Sequence, residues 1–222
     1  ADSTFNSVTV GKGANSVSHN TVVGQLALDA AVTGNYNTAF GYRTLTSNTS
    51  GYDNTAVGTD ALLGNTTGAE NVAVGKQALD ANTTGGKNIA VGKYSLSGNT
   101  TGNQNTAVGD QALFANTTAS YNTAVGYYAM KGNTTGAYNV AVGNEALEAN
   151  ISGLNNTAIG YKALTANTAS QNTAIGYFSM VWNTTGANNV ALGFNALTNN
   201  TTASENVAVG HNAMQDNTTG TS

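Results

Sequence analysis

The sequence predicts an all-β chain: a parallel β-solenoid, a flattened β-roll of about 13 coils with a 17-residue repeat. Three observations carry that expectation. Glycine recurs at Gly24, Gly41, Gly58, Gly75, Gly92, Gly109, Gly126, Gly143, Gly160, Gly176, Gly193 and Gly210, in steps of 17 residues except the 16 from Gly160 to Gly176. Each of these glycines closes a short Asn-Thr-Ala-Val-Gly segment with the two-residue alternation of a strand. Each repeat then ends on an Asn-Thr-Thr-Gly turn, so one unit stacks on the next. The repeat makes 1–222 a single domain, with 1–23 as an atypical N-terminal coil and 24–222 regular.

Asn105 to Tyr121, NTAVGDQALFANTTASY, serves as the reference copy, and its residues are positions 1 to 17. Seventeen residues are too few for a helical hairpin repeat, and Asn, Thr, Val and Gly are poor helix formers. Position 2 carries Thr, Val or Ile (Thr55, Val72, Ile89), and position 4 carries Val, Ile, Leu or Phe (Val57, Ile159, Leu192, Phe40). These two are expected to face inward, with the intervening position 3 Ala (Ala39 to Ala208) pointing out. That Ala stripe could then pack closely against another copy. A second apolar segment ends at position 9, always Leu or Met after a small residue, as at Leu113, Met130 and Met180. About three inward apolar side chains per coil suit a flattened two-sided roll. Position 5 Gly and the Asn-Thr-Thr-Gly turn supply the reversals. The first segment departs from the pattern, since Gly11 to Gly24 is only 13 residues, as expected of a terminal cap.

Charged residues make up 8% of the chain, proline and cysteine are absent, and the net charge is −4. The seven basic residues are scattered, which argues against nucleic-acid binding. No apolar run is long enough for a transmembrane helix, so no membrane insertion is expected. The start at Ala1 fits a mature, processed, secreted protein.

Ser7-Val8-Thr9-Val10-Gly11 and the shorter first segment resemble the Ser-Val-Ala-Ile-Gly repeats of the YadA-like head of trimeric autotransporter adhesins. The longer Asn-Thr-Ala-Val-Gly and Ala-Leu-x-x-Asn-Thr-Thr-Gly repeats resemble those of phage tail-fibre-like and bacterial surface proteins. The resemblance covers nearly the whole chain. It implies a left-handed parallel β-roll, commonly a homotrimer, serving as an extracellular adhesin or fibre, and it carries no residue-level binding site.

Catalysis is not expected, nor is a cofactor or metal. His19 and His211 stand at opposite ends of the sequence, and the turns hold Asn-Thr-Thr where calcium rolls need aspartates. Asp53 and Glu70 share position 17 on adjacent coils, but Lys87 follows them, which reads as a charged surface ladder. Candidate contacts for a cell-surface glycan or protein receptor are Tyr161, Tyr177, Phe178, Trp182 and Phe194, either as an exposed aromatic platform or as coils stacking ring on ring. The turn asparagines Asn48, Asn65, Asn82, Asn99, Asn116, Asn133, Asn150, Asn183, Asn200 and Asn217 each satisfy the Asn-x-Ser/Thr pattern for glycosylation; the alternative is an Asn ladder kept for its turn geometry. Three functions follow as expectations: a non-catalytic extracellular fibre or adhesin rod; a filament polymerised end to end and coated with glycans; and, through the Thr ladders, an ice-binding solenoid.

Overall fold

The computed structural model describes residues 3–220. The chain is an all-β parallel solenoid with a 17-residue repeat, and by contact it divides into two compact units, Ala1–Gln111 and Ala112–Ser222. The first unit holds β1 (Ser3–Phe5), β2 (Val8–Gly11), β3 (Thr21–Gly24), β4 (Thr38–Phe40), β5 (Thr55–Val57), β6 (Val72–Val74), β7 (Ile89–Val91) and β8 (Thr106–Val108). The second holds β9 (Thr123–Val125), β10 (Val140–Val142), β11 (Thr157–Ile159), β12 (Thr173–Ile175), β13 (Val190–Leu192) and β14 (Val207–Val209).

From β3 onward neighbouring strands within each unit are parallel, and position 3 pairs with position 3, as in Ala56↔Ala73 and Ala141↔Ala158. There are about 11 turns, two fewer than the 13 coils expected. The difference lies at the N-terminal end. β2 runs antiparallel to β3, with Thr9↔Gly24, and β1 runs antiparallel to β2. Thirteen residues cannot complete a 17-residue circuit. The chain instead turns back through Gly13 (φ 77°) and a short 3-10 turn at Ala14–Ser16, and β2 lies along the edge of β3. Gly11 therefore marks a reversed strand, which covers an edge that would otherwise be open.

The inward and outward faces are the reverse of those expected from hydrophobicity. Position 3 Ala is buried in every regular coil, from Ala39 to Ala208, while positions 2 and 4 are half-buried or exposed. The Ala stripe is thus interior and cannot serve as an interface. Strand alternation puts position 1 on the same face as position 3, and position 1 Asn is buried as well. The rest of the interior is position 8, a buried small residue, position 9 Leu or Met, and position 12 Asn. An interior this narrow has room for one large side chain per coil, and position 9 supplies it.

Only one side of each coil is a regular strand. The opposite side, positions 7 to 9, is a turn laddered along the axis: Leu79 N–H donates to the Ser95 carbonyl at 3.0 Å, and Gln77 N–H to the Thr59 carbonyl at 2.9 Å. Positions 7 and 9 hold left-handed backbone angles with ordinary side chains, for example Gln77 (φ 54°) and Leu79 (φ 55°), and position 17 does the same at Glu70 (φ 59°). Each such residue costs on the order of 1 kcal/mol or more. At position 9 the full burial of the Leu side chain and the hydrogen bond to the next coil offset that cost.

Position 5 tolerates no side chain. Gly75 has φ 136°, and a Cβ there would sit 2.5 Å from the Gly92 carbonyl oxygen of the next coil. Gly68, at position 15, is also tight but has an ordinary φ, and Ala119 and Ala203 occupy the same position in other coils. Gly75→Ala is therefore expected to destabilise by about 3 kcal/mol or more, and Gly68→Ala by less than half as much. Urea unfolding of the two variants checks this; equal losses would contradict the assignment of strain to position 5.

Candidate functional site

The asparagines form the most regular polar arrangement in each unit. Asn71 shows the position 1 pattern: its Nδ2 donates to Asn54 Oδ1 of the preceding coil (3.1 Å) and to the Gly85 carbonyl of its own coil (3.0 Å). Its backbone N–H donates to the same Asn54 Oδ1 at 3.0 Å. Asn82 shows the position 12 pattern: Nδ2 donates to Asn65 Oδ1 at 2.8 Å and to the Gly85 carbonyl at 2.9 Å. The position 15 carbonyl thus accepts two side-chain amides and closes the coil, while both asparagines bond along the axis. A primary amide suits the task because it carries two donors and an acceptor with two lone pairs.

This geometry overturns the glycosylation expectation. Asn48, Asn65, Asn82, Asn99, Asn116, Asn133, Asn150, Asn183 and Asn200 are fully buried, and Asn217 is half-buried. In all ten, Nδ2 donates to the carbonyl three residues on, at 2.8 to 3.1 Å. Nine of the ten Nδ2 atoms are thus enclosed in the interior, and only Asn217 keeps partial access to solvent. The Asn-Thr-Thr run is a ladder motif whose asparagine faces in.

The missing residue lies in the turn between Asn167 and Asn172. Asn167 Nδ2 donates to the Ala169 carbonyl two residues on, at 2.8 Å, where a regular coil spans three. Its amide no longer reaches the preceding coil, and Asn150 Oδ1 is left buried without a partner. The ladder resumes at once, with Asn183 Nδ2 donating to Asn167 Oδ1 at 2.7 Å.

The outer face of the strands carries two columns of β-branched and aliphatic side chains. In the first unit these are Thr55 and Val57, Val72 and Val74, Ile89 and Val91; in the second, Val140 and Val142, Thr157 and Ile159, Thr173 and Ile175, Val190 and Leu192. Ile89 and Ile175 are about two-fifths exposed. The expectation that position 2 is interior is therefore reversed, and Thr and Val at this position belong to the outer face. Asp53, Glu70 and Lys87 are exposed, each on a left-handed residue.

The predicted aromatic residues divide into two groups. Tyr161, Tyr177 and Phe194, all at position 6, stack at 5.2 Å between centroids, and His211 continues the row 5.1 Å from Phe194. Phe178, at position 7, tilts against Tyr177 at 4.3 Å. Rings stacked face to face spend their faces on each other and turn their edges outward.

Trp182 stands apart at position 11, where other coils have Ala, Gly, Ser, Asn or Asp. It is 58% exposed and has no ring partner among the described residues. With Lys162, Thr165, Ala166, Phe178, Val181 and Thr198 it lines a hollow of about 180 Å³. Sequence reasoning named Phe178 and Trp182 and missed Lys162, Thr165, Ala166, Val181 and Thr198, because only stacking the coils brings positions 7, 10 and 11 together. Lys162 Nζ pairs with Glu145 Oε2 at 3.1 Å, which raises the lysine pKa. Burial, and then the neighbouring Glu145, raise that of Glu148.

Set against protein-family models, curated protein sequences and solved structures, the chain matches none.

The ladder has a sharp chemical test. In Asn71→Asp the new carboxylate faces two acceptor oxygens, Asn54 Oδ1 and the Gly85 carbonyl, with no amide to offer them. At pH 7 the loss should be about 2–5 kcal/mol. Burial among acceptors raises the folded-state pKa of the new acid, so the deficit relative to the parent develops as pH rises above about 4 and shrinks below it. Urea midpoints at pH 3 and pH 7 check this; a deficit independent of pH would show that the amide at position 71 does not hold the coil.

Proposed function

We propose that this chain is a non-catalytic structural rod of an extracellular fibre or surface adhesin, self-associating through the β-branched face of its strands. The observation that carries the reading is that face: two columns of Thr, Val, Ile and Leu per unit, with Phe40 in one of them, half-buried or exposed and without a charged residue at positions 2 or 4. Exposed apolar surface of this continuity is a contact surface. Its repeat is common to every copy, so two or three copies can mesh column against column. A homotrimer, as the resemblance to YadA-like proteins implies, would bury such a face around a common axis. The short, hydrogen-bonded turns support an extracellular setting, because they leave little loose backbone for proteases.

A second reading is favoured by the same outward columns. Thr and Val side chains at strand spacing, about 4.8 Å along the sheet, make a regular surface of hydroxyls and methyls of the sort that could order water into an ice-like lattice. The two readings make opposite demands on the face, which must be covered in a fibre and bare for ice.

Native mass spectrometry with sedimentation decides between them. The fibre reading predicts masses in multiples of the 22.3 kDa chain, preferentially threes. It also predicts that Ile159→Lys with Leu192→Lys, two coils apart, releases monomers whose unfolding is little changed. A monomer at all concentrations that inhibits ice recrystallisation would overturn it.

A further inference from the structure

The hollow beside Trp182 has the chemistry of a carbohydrate subsite. Its floor is apolar: the Phe178 ring, Val181 and the Ala166 methyl. Its wall is the Trp182 indole, free of ring partners and more than half exposed. Its rim is polar and already oriented. Thr165 Oγ1 donates to the Lys162 carbonyl at 2.8 Å and the Glu145 carbonyl at 3.1 Å, and Thr198 Oγ1 donates to the Phe178 carbonyl at 3.1 Å. Both hydroxyl protons are thus committed, and both oxygens keep lone pairs for an incoming donor. Lys162 Nζ supplies a donor in return.

We propose that this hollow binds one neutral hexopyranose unit of a glycosidically linked polysaccharide, with the apolar face of the sugar on Trp182. A pyranose has one face of C–H groups and a rim of hydroxyls that both donate and accept, which matches the apolar wall and the mixed rim. The sugar is neutral because the Lys162 charge is already matched by Glu145 at 3.1 Å, and Glu148 lies on the same side of neighbouring coils. An anionic sugar would meet a lysine whose charge Glu145 already neutralises, with no further cation among the residues that line the hollow. The volume sets the size: about 180 Å³ is below the roughly 300–1,000 Å³ of drug-sized pockets, so the site takes one ring and leaves its neighbours in solvent. The stacked row Tyr161, Tyr177 and Phe194 presents only ring edges and does not offer a second stacking face. The inference rests on the adhesin reading, to which it adds the class of ligand.

The chain has a single tryptophan, so its fluorescence reports this site alone. Methyl hexopyranosides of the gluco, galacto and manno series would be titrated into the full chain, with immobilised neutral polysaccharide as a retention assay. A saturable shift in emission with at least one sugar is expected, with a dissociation constant on the order of 1 mM. By calorimetry, Trp182→Ala should weaken binding at least tenfold and Trp182→Phe less, both with parental unfolding and oligomer mass. Emission unmoved by every sugar to tens of millimolar, or Trp182→Ala binding like the parent, overturns the proposal. If the chain still forms oligomers and attaches to cells in that case, the fibre and adhesin reading stands without this site. If oligomers and attachment are also lost in the parent, that reading falls with it.

Discussion

The structure depends on one constraint: each coil must seal a polar backbone reversal inside a very narrow tube. Two asparagines and one carbonyl meet it. Positions 1 and 12 both donate to the position 15 carbonyl, as Asn71 and Asn82 do to Gly85, and each then bonds the same residue one coil away. Buried amides left unpaired would cost several kcal/mol each, so the arrangement is stable only as a complete set. It therefore imposes the repeat length. A coil one residue short still closes, through Asn167 and Ala169, but leaves Asn150 Oδ1 without a partner.

From that constraint the other features follow. With asparagine fixed inside at position 1, strand alternation sends position 3 inward and positions 2 and 4 outward. The interior left over admits Ala twice and one Leu or Met, and position 9 adopts a left-handed backbone to bring that side chain in. Position 5 lies so close to the next coil that only glycine fits. The outer surface is free of these demands, and there the chain varies: aromatic rows, the Arg43–Asp60 and Lys162–Glu145 pairs, and Trp182.

The fold class, the 17-residue period and the strand segment were legible in the sequence because periodicity survives any error about faces. The choice of face was not legible to a rule that places the more hydrophobic residue inside. Val and Ile at positions 2 and 4 outrank Ala, yet Ala is interior. A better signal was present: position 3 is Ala in nearly every coil while positions 2 and 4 wander among Thr, Val, Ile, Leu and Phe, and only a tightly packed site is that intolerant. The asparagines carried the same signal: the sequence left an Asn ladder and a glycosylation motif as alternatives, and their burial favours the ladder. Trp182 stood out by its rarity, but the hollow around it, drawn from positions 7, 10 and 11 of neighbouring coils, required the stacking to be seen.

The central claim is that interior asparagine amides hold the coils, and side-chain hydrogen exchange tests it directly. After transfer to deuterated solvent, the Nδ2 protons of Asn65, Asn71 and Asn82 should persist as long as the strand amides of Ala73 and Ala90, because both open only when the coil opens. Exchange of those side-chain amides at the rate of a free asparagine, while the strand amides stay protected, would show that the ladders form no lasting bonds and would contradict the account.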